Sequence, residues 1–420
     1  MKKKLLITVG AGASLDFGLP SVDAVDKLLD DHAKQLFPLA HDPERNLYSH
    51  IRDKLNAYYA QNPKEGLRKW ANFEDVIYQV NVLASLFSDS EFQNGANALL
   101  RAEELPNVLR HGREVSAADS SVLIELAASM QDIIVEHFIE VCATLPDTQR
   151  ENIAHLKSML DALSDEFDIG VVTLNYDNVF SLARPDLYTG FNTVSGAFEP
   201  VAVLNRTEWN FLYHVHGSIH YAMDMTPSDM HRIEWRKTPQ KGRASQASGR
   251  NGQSTAESLQ FPTSVIIAGY GKTHQMLRQP FRTLFAQVNK LVLESDALLF
   301  IGYGFGDLHL NATFSEATDR RRPVAVITWG DIKNDPFQFR ADAWSTNLQA
   351  TVPTRARSMS GPDSTSPWSI DELKAAAEFE VSNDEDFKLA IWYDGLMSKS
   401  LDVTKLISHL RLSPLETPLD

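Results

Sequence analysis

Residues 4–20 read KLLITVGAGASLDFGLP, a short apolar run that breaks into glycines and then resumes with helical periodicity. The apolar run suits a buried parallel strand, and Gly10 and Gly12 allow positive φ and close approach to the backbone. The stretch therefore predicts a strand, a phosphate-binding turn and a helix, with Ser14 as the N-cap of that helix. A diphosphate would be stabilised there by the free N–H groups and the dipole of the helix N-terminus.

The dinucleotide fingerprint G-x-G-x-x-G is incomplete in this stretch. Leu15 occupies the third glycine position, and no second strand carries an acidic residue about twenty positions further on. Asp30 and Asp31 fall in a helical pattern instead. From these residues alone, nucleotide binding and an ordinary glycine-bearing strand-to-helix turn both remain open.

Composition and charge exclude several classes of protein. The 420 residues are 43% hydrophobic and 23% charged, as in a globular protein of two or three lobes. The net charge of −15 opposes non-specific attraction to nucleic acid or anionic lipid. No stretch approaches the roughly 20 apolar residues of a membrane span, and the first apolar run is too short for a secretory signal. Because Cys142 is the only cysteine, no intramolecular disulfide can form, and we expect a soluble cytoplasmic protein.

Helical spacing dominates residues 47–163, and we expect a helical insertion domain over residues 41–164. Asn72 resembles an N-cap followed by acidic residues, for which capping is favoured over catalysis. Residues 121–144 predict an amphipathic helix whose apolar stripe belongs to the core or to a subunit interface.

Polar residues follow a buried-strand run at residues 169–174. Asn175 and Asp177 would lie at the carboxyl end of that strand, which is where ligands bind in open α/β sheets. Asn175 is expected to hold a ribose hydroxyl or a water molecule, and Asp177 to accept a hydrogen bond from an amide. The alternative is that both residues only cap the next helix.

Three histidines occur within residues 214–220, in the sequence HVHGSIH. Strand alternation places His214 and His216 on one face, and Gly217 opens space beside the second histidine. A histidine there titrates in the range useful for acid–base catalysis. Two other interpretations compete: buried core histidines, or a metal site that uses His214, His216, His220 and Asp177.

A second glycine turn follows the apolar run of residues 296–301. It contains Gly302, Gly304, Gly306 and Asp307. A further strand is predicted over residues 323–329. Two glycine turns that close two parallel strands can hold opposite ends of one nucleotide.

The remaining chain is less periodic. Residues 236–260 are polar and rich in glycine and serine, which predicts a solvated loop. Helical patterns recur at residues 370–379, 386–397 and 403–412. We expect residues 331–420 to be a C-terminal extension packed on the core or on another subunit.

In their order along the chain, these motifs resemble the NAD site of the sirtuin superfamily. They are GAGAS at residues 10–14 with GLP at 18–20, TLNYD at 173–177, HG at 216–217 and GYGFGD at 302–307. More closely, the chain resembles sirtuin-like proteins of prokaryotic antiphage defence, whose members hydrolyse NAD. The resemblance covers residues 1 to about 330. It implies an α/β fold, with a Rossmann-like parallel sheet formed by residues 1–40 and 165–330 and interrupted by the helical insertion.

The resemblance also implies a role for each motif. The first turn, composed of Gly10, Ala11, Gly12, Ala13 and Ser14, would bind the diphosphate of NAD+. Asn175 and Asp177 would line the nicotinamide and ribose pocket, with Asn175 orienting water or ribose in catalysis. His216 would be the catalytic base. The second turn, with Gly302, Gly304 and Asp307, would hold the adenosine end.

Two departures from the family pattern bear on activity. Protein-deacylating sirtuins generally carry a four-cysteine zinc module, which a chain with only Cys142 cannot build, so we expect neither zinc nor peptide deacylation. The Asp-Phe-Arg that usually follows Gly-Ile-Pro in deacylases is replaced by Ser21-Val22-Asp23. The contacts to the nicotinamide end of NAD+ are therefore expected to differ from those in deacylases.

These observations lead us to expect an NAD+ glycohydrolase that releases nicotinamide and ADP-ribose. The resemblance further implies antiphage defence by NAD+ depletion, as in abortive infection. It also implies control by homo-oligomerisation or by a partner such as a HerA-type hexameric ATPase. Two alternatives remain: a metal-dependent hydrolase that uses the histidines, and a non-catalytic sensor of NAD or ADP-ribose.

Overall fold

The computed structural model describes residues 2–61, 70–87, 105–223, 232–242, 244–246, 262–269, 272–317, 321–330, 343–352, 359–360, 369–382 and 388–412. In chain order, the strands are β1 (Lys3–Val9), β2 (Asn107–Arg110), β3 (Arg113–Ser116), β4 (Phe167–Thr173), β5 (Asn210–His214), β6 (Tyr221–Met223), β7 (Ile233–Trp235), β8 (Ser245–Gln246), β9 (Thr263–Ser264), β10 (Ala297–Ile301), β11 (Val324–Ile327), β12 (Met359–Ser360), β13 (Glu380–Ser382) and β14 (Leu389–Trp392). The helices are α1 (Gly12–Leu15), α2 (Val22–Leu36), α3 (Leu47–Gln61), α4 (Phe73–Leu86), α5 (Ser120–Thr148), α6 (Arg150–Glu166), α7 (Val179–Ala183), α8 (Pro200–Asn205), α9 (Lys272–Gln275), α10 (Phe281–Glu294), α11 (Leu308–Glu316), α12 (Ala343–Thr351), α13 (Ile370–Ala376) and α14 (Val403–Leu410).

The core of the fold is a mostly parallel, eight-stranded sheet in the order β12-β13-β14-β11-β10-β1-β4-β5. Six strands, from β14 to β5, run parallel, while β13 and β12 form an antiparallel edge. The central strands are buried on both faces, which requires helices on each side of the sheet. The α/β fold expected from the sequence, with a Rossmann-like parallel sheet, is therefore confirmed.

The register of the central strands brings their carboxyl ends to one edge of the sheet. Val9 at the end of β1 pairs with Thr173 of β4 on one side and with Ile301 of β10 on the other. Thr173 in turn pairs with His214, the last residue of β5. The residues that follow these four strands therefore face the same region, as expected at the ligand-binding edge of an open α/β sheet.

Most of the helical region behaves as its sequence predicts. Ser21 caps α2 by accepting from Ala24 N, and Asn72 caps α4 in a complete capping box with Asp75. Helix α5 packs against α4 and α2, and most of its apolar stripe is buried within this chain, as expected of core. The region also contains a hairpin of β2 and β3 that the helical pattern did not predict. It turns through His111 and Gly112, which both have positive φ, as type I′ hairpin turns require.

One expectation for the C-terminal region is wrong. The helical pattern at residues 386–397 is instead occupied by β14, which pairs in parallel with β11 and antiparallel with β13. A run of four apolar residues is compatible with a buried strand or a helical turn, and here the sheet supplies its partners. The C-terminal region therefore continues the sheet instead of only packing on it. The division of the chain into three domains stays a prediction.

Two further points concern the regions outside the sheet. Most of the polar stretch at residues 236–260 lies outside the described residues, so the loop expected there stays a prediction. Within the described part of the chain, no helix combines the length and the apolar character needed to cross a membrane.

Candidate active site

The two glycine turns are in direct contact. Gly10 N donates to Ile301 O and Gly12 N donates to Gly302 O, both at 2.9 Å. Gly302 has a φ of +59°, and a Cβ on it would overlap the backbone of Gly12 and Ala13. Glycine is therefore required at this position both by conformation and by space. A Cβ on Gly12 would lie 3.0 Å from Gly302 Cα, so Gly12 serves the contact between the turns.

Ser14 does not cap a helix, contrary to the sequence-based expectation. It lies within the one-turn helix α1, which has no side-chain cap. Its hydroxyl accepts from Asn175 Nδ2 at 2.8 Å and donates to Asp177 Oδ2 at 2.6 Å. The other Asn175 N–H donates to Gly10 O at 2.9 Å. This chain of hydrogen bonds fastens the first glycine turn to the end of β4.

Asp177 also hydrogen-bonds to the start of the next helix, although the N-cap residue of α7 is Asn178, whose side chain makes no capping bond. Asp177 Oδ1 accepts from Val179 N at 3.0 Å, in the first turn of α7. The side chain is buried, and this burial raises the pKa of the carboxyl even though Ser14 donates to it. Both carboxylate oxygens are thus engaged within the protein, and an additional contact to a substrate amide stays a prediction.

A cavity of about 530 Å³ opens at this edge of the sheet. The sequence-predicted residues on its wall are Gly10, Ala11, Gly12, Ser14, Asn175, Asp177, His216, Gly304 and Asp307. A Cβ on Gly304 or Gly306 would meet no atom within 4 Å, so both glycines leave room on the cavity side. The helical region closes the opposite wall through Phe73 and Glu74 of α4 and two residues of α5. We call this space the first cavity.

A group of charged side chains, one buried and two half-buried, surrounds His216 in the first cavity. Its Nε2 lies 3.0 Å from Oδ2 of Asp307, a carboxylate with only 3% side-chain exposure. Lys272 Nζ donates to the same oxygen at 3.2 Å and lies 3.8 Å from Glu74 Oε1. These four side chains come from the segment after β5, the N-cap of α11, α9 and α4, so the sheet edge and the helical region both contribute. We refer to these residues, His216, Asp307, Lys272 and Glu74, as the charged cluster.

The cluster favours ionised Asp307 and neutral His216. Burial and the charge of Lys272 lower the pKa of His216 below its ordinary value. Burial opposes the charge of Asp307, but His216 and Lys272 outweigh it and hold the pKa of that carboxyl well below its usual range. Burial likewise opposes the charge of Lys272, whose pKa is nevertheless raised by Glu74 and Asp307. A neutral imidazole held beside a carboxylate is suited to accept a proton.

The other two histidines have separate surroundings. His214 Nδ1 donates to the backbone oxygen of Asn175 at 3.2 Å, and burial lowers its pKa to about 3. His220 stacks on Trp235 with ring centroids 4.6 Å apart, and its Nδ1 donates to Arg236 O. Across the described residues, no group of three or more histidine, cysteine, aspartate or glutamate side chains could hold a metal ion. The geometry therefore does not support the alternative of a histidine metal site.

A second cavity of about 230 Å³ lies beside the first. Gly12 and Leu15 line both cavities, whereas Ala13 and Gly302 line only the second. Its remaining wall comes from the chain after β11, including Trp329, and from the segment that follows β14. The second glycine turn is thus divided, since Gly302 faces this cavity while Gly304 and Asp307 face the first.

Sequence patterns predicted the glycine turns, Asn175, Asp177, His216 and Asp307 as site residues. They did not predict the contact between Asp307 and His216, or the presence of Lys272 and Glu74 beside them. Glu74 belongs to the acidic group assigned to capping, yet Asp75 makes the capping box and leaves Glu74 to face the cavity. Lys272 follows two glycines in the sequence, which was its only signal.

The chain was compared with known proteins. No curated protein sequence matches it. Similar solved structures include an ADP-ribose complex of a mutant Sir2 homologue, with 10% identity, a TM-score of 0.32 and coverage of 83% of this chain and 91% of that chain. They also include a Sir2 homologue bound to NAD, with 10% identity, a TM-score of 0.31 and coverage of 83% and 88%. A further one is a Sir2 protein bound to a propionylated peptide, with 11% identity, a TM-score of 0.31 and coverage of 83% and 92%. Residues 170–345, from β4 into α12, match the family model described as SIR2-like domain, so this segment of the chain is similar to that domain.

Proposed function

We propose that this protein is an NAD+ glycohydrolase that cleaves the bond between nicotinamide and ribose. One observation carries the proposal: neutral His216 lies in a cavity walled by both glycine turns, and a second cavity adjoins it. The two cavities adjoin at Gly12 and Leu15, and this adjacency supports one ligand with two lobes, each lobe in one cavity. NAD+ has that shape, because a diphosphate joins its two nucleosides.

The residues that line each cavity suggest which half of NAD+ that cavity would bind. We place the nicotinamide riboside in the first cavity, beside His216, and the diphosphate beside Gly12. The adenosine then lies in the second cavity, where Trp329 offers an exposed aromatic face for stacking. This placement replaces the sequence-based assignment of the whole second turn to the adenosine end.

Cleavage of the N-glycosidic bond develops positive charge on the ribose, as in other glycosyl transfers. In the charged cluster, the two carboxyl side chains Asp307 and Glu74 lie beside one cation, Lys272, and this excess of acidic groups would favour the developing positive charge. His216 would take a proton from a ribose hydroxyl or from the attacking water. Asn175 has committed both N–H groups to Gly10 and Ser14, so any contact to water would use its Oδ1.

Turnover with purified protein tests the proposal. Nicotinamide and ADP-ribose released from excess NAD+ would be measured by chromatography for the wild type and for His216→Ala. We expect His216→Ala to lower the rate by at least about 100-fold, the usual contribution of a general base. His409→Ala is the matched control, because His409 is a half-buried histidine of α14 whose Nε2 contacts Val324 O and which lines neither cavity.

The outcomes separate the candidate functions. Full turnover by a folded His216→Ala protein would contradict the assignment of the base. NAD+ binding by calorimetry without turnover in the wild type would favour the non-catalytic sensor. Activity that is lost with a chelator and restored by a divalent metal would favour the metal-dependent hydrolase.

We further propose that the protein is the effector of an antiphage defence system that depletes NAD+. An unrestrained NAD+ hydrolase would harm its own host, so we propose control by homo-oligomerisation or by a hexameric ATPase of the HerA type. Burial of most of the α5 stripe within this chain removes one argument for an oligomer, and the need for restraint remains. Light scattering at micromolar concentration, and turnover with and without the ATPase, would test this. A monomer with full, partner-independent activity would contradict it.

A further inference from the structure

The two carboxylate oxygens of Asp307 contact different partners. Its Oδ1 accepts from Leu310 N at 3.0 Å and so caps α11. Its Oδ2 lies 3.0 Å from His216 Nε2 and accepts from Lys272 Nζ at 3.2 Å. The helix cap orients the side chain, and this orientation aims the second oxygen at the imidazole. An aspartate that only capped the helix would not need a half-buried lysine and a buried histidine at its other oxygen.

We propose that Asp307 and Lys272 are positioning residues for His216: the carboxylate of Asp307 holds the ring with its Nε2–H toward Oδ2, and Lys272 keeps that carboxylate ionised. The inference rests on the proposed function for its catalytic meaning. The 3.0 Å contact between Nε2 and Oδ2 exists without substrate, and the tautomer that it favours can be tested without substrate.

The arrangement decides which ring nitrogen is the base. A neutral imidazole whose Nε2–H donates to Asp307 has its lone pair on Nδ1. During the reaction, the proton of a ribose hydroxyl or water would move to Nδ1 and convert the ring to an imidazolium. Asp307 would stabilise that cation, and the ring would become neutral again when Nδ1 gives the proton to water. Neutral His216 and ionised Asp307 are the forms that the cluster favours before substrate binds.

Three charged groups face His216, and they come from different elements. Asp307 lies at the N-terminus of α11, Lys272 in α9 and Glu74 in α4, while α10 contributes the uncharged ring of Phe285, with ring centroids 6.1 Å apart. Glu74 partly balances the charge of Lys272 across 3.8 Å. The helical region therefore influences the charge at the base through one carboxylate.

Nuclear magnetic resonance of the ligand-free protein tests the positioning role. The ring ¹⁵N shifts of His216, assigned by their loss in His216→Asn, should show the Nε2–H tautomer at neutral pH. Asp307→Ser keeps an oxygen that can cap α11 but is too short to hold the ring. We expect mixed tautomers in this variant. Asp402→Ser is the matched control, because Asp402 caps α14 in the same way, far from His216.

Lys272→Met provides the second measurement. Loss of the nearby cation should move the titration midpoint of His216 upward by about 1 pH unit, and Lys272→Arg should restore it. In the turnover assay, Asp307→Ser should lower kcat by about 10- to 100-fold with KM changed less than about threefold, since binding contacts remain.

The results separate this inference from the proposed function. An Nδ1–H tautomer in the wild type, or an unchanged tautomer in Asp307→Ser, would overturn the positioning role whatever the activity. The expected tautomers in a protein that does not hydrolyse NAD+ would support the positioning role and contradict the hydrolase.

Discussion

The two glycine turns follow neighbouring parallel strands and look alike in sequence, yet they are held in different ways. The first turn is fastened by its own neighbours: Asn175 and Ser14 hydrogen-bond it to the end of β4, and Gly12 rests against Gly302. The second turn is held from elsewhere in the chain, since Trp344 Nε1 donates to Tyr303 O and Asn311 Nδ2 donates to Phe305 O. Beside Gly304 and Gly306 there is open space, because a Cβ on either would meet no atom within 4 Å. Asp307 at its end belongs to the charged cluster.

This difference shows that glycines in a turn can have a structural role, by allowing close packing of backbone, or can leave space for a ligand. In the first turn, the side chains that sequence suggested for ligand contact are bound largely to one another. In the second turn, the space beside Gly304 and Gly306 is open, and Asp307 at the end of the turn belongs to the charged cluster, so a substrate could contact this turn. Substitutions in the first turn should therefore act mainly on stability, and substitutions in the outer part of the second turn mainly on binding and turnover.

The largest effect is expected where the two turns meet. Gly302→Ala would place a Cβ against the backbone of Gly12 and Ala13 at a positive φ. We expect a loss of at least about 3 kcal/mol in the free energy of unfolding, because backbone cannot move aside. Urea unfolding would measure it, with Gly306→Ala as the matched control because its Cβ meets no atom within 4 Å. Equal stability of the two variants would contradict the described contact.

Asn175→Asp should have the next largest effect, because it removes the two donors that hold the first turn. The new carboxylate would face two oxygen atoms and lie near buried Asp177. We expect a loss of about 2–4 kcal/mol in urea unfolding. Asn289→Asp is the control, since exposed Asn289 only accepts from Thr313 and aspartate can do the same. Similar losses in the two variants would refute the fastening role.

Lowering the pH should decrease the free energy of unfolding through His214, which contacts the end of β4 near the first turn. His214 donates to Asn175 O, and its pKa of about 3 lies below the ordinary 6.5. Between these values the unfolded state binds the proton and the folded state does not, so stability falls as the pH drops. The slope from this group is about 1.4 kcal/mol per pH unit. His214→Gln should lose this part of the slope in urea unfolding between pH 7 and 5, and an identical slope would refute the assignment.

The smallest effect on stability is expected in the outer part of the second turn. Gly304 has an ordinary φ and open space beside it, so Gly304→Val should change the free energy of unfolding by less than about 1 kcal/mol. NAD+ affinity in a His216→Ala background, measured by calorimetry, should fall by about tenfold or more because the side chain fills the cavity. Gly304→Ala should show a smaller loss. Unchanged affinity in both variants would remove Gly304 from the ligand site.

Much of the sheet was predictable from local patterns. Four strands, β1, β4, β10 and β11, are apolar runs followed by glycine or polar residues. The ends of such runs can be recognised from the sequence without knowledge of the tertiary structure. Helix starts at Ser21 and Asn72 were equally visible, because capping is a local interaction. The strand β14 was not predicted, because its four apolar residues are compatible with helix or strand and only pairing with β11 and β13 makes them a strand.

By itself, the sequence determined where strands end and which residues with useful chemistry stand at those ends. It could not determine which of them touch, because strand order and helix docking join residues far apart in the chain. Only the tertiary structure decided that Ser14 binds Asn175 and Asp177 instead of capping a helix. It likewise decided that Asp307 meets His216 and that the helical region brings Glu74 to Lys272. The physical reason is that a hydrogen bond or ion pair depends on distances of about 3–4 Å, which local periodicity does not encode.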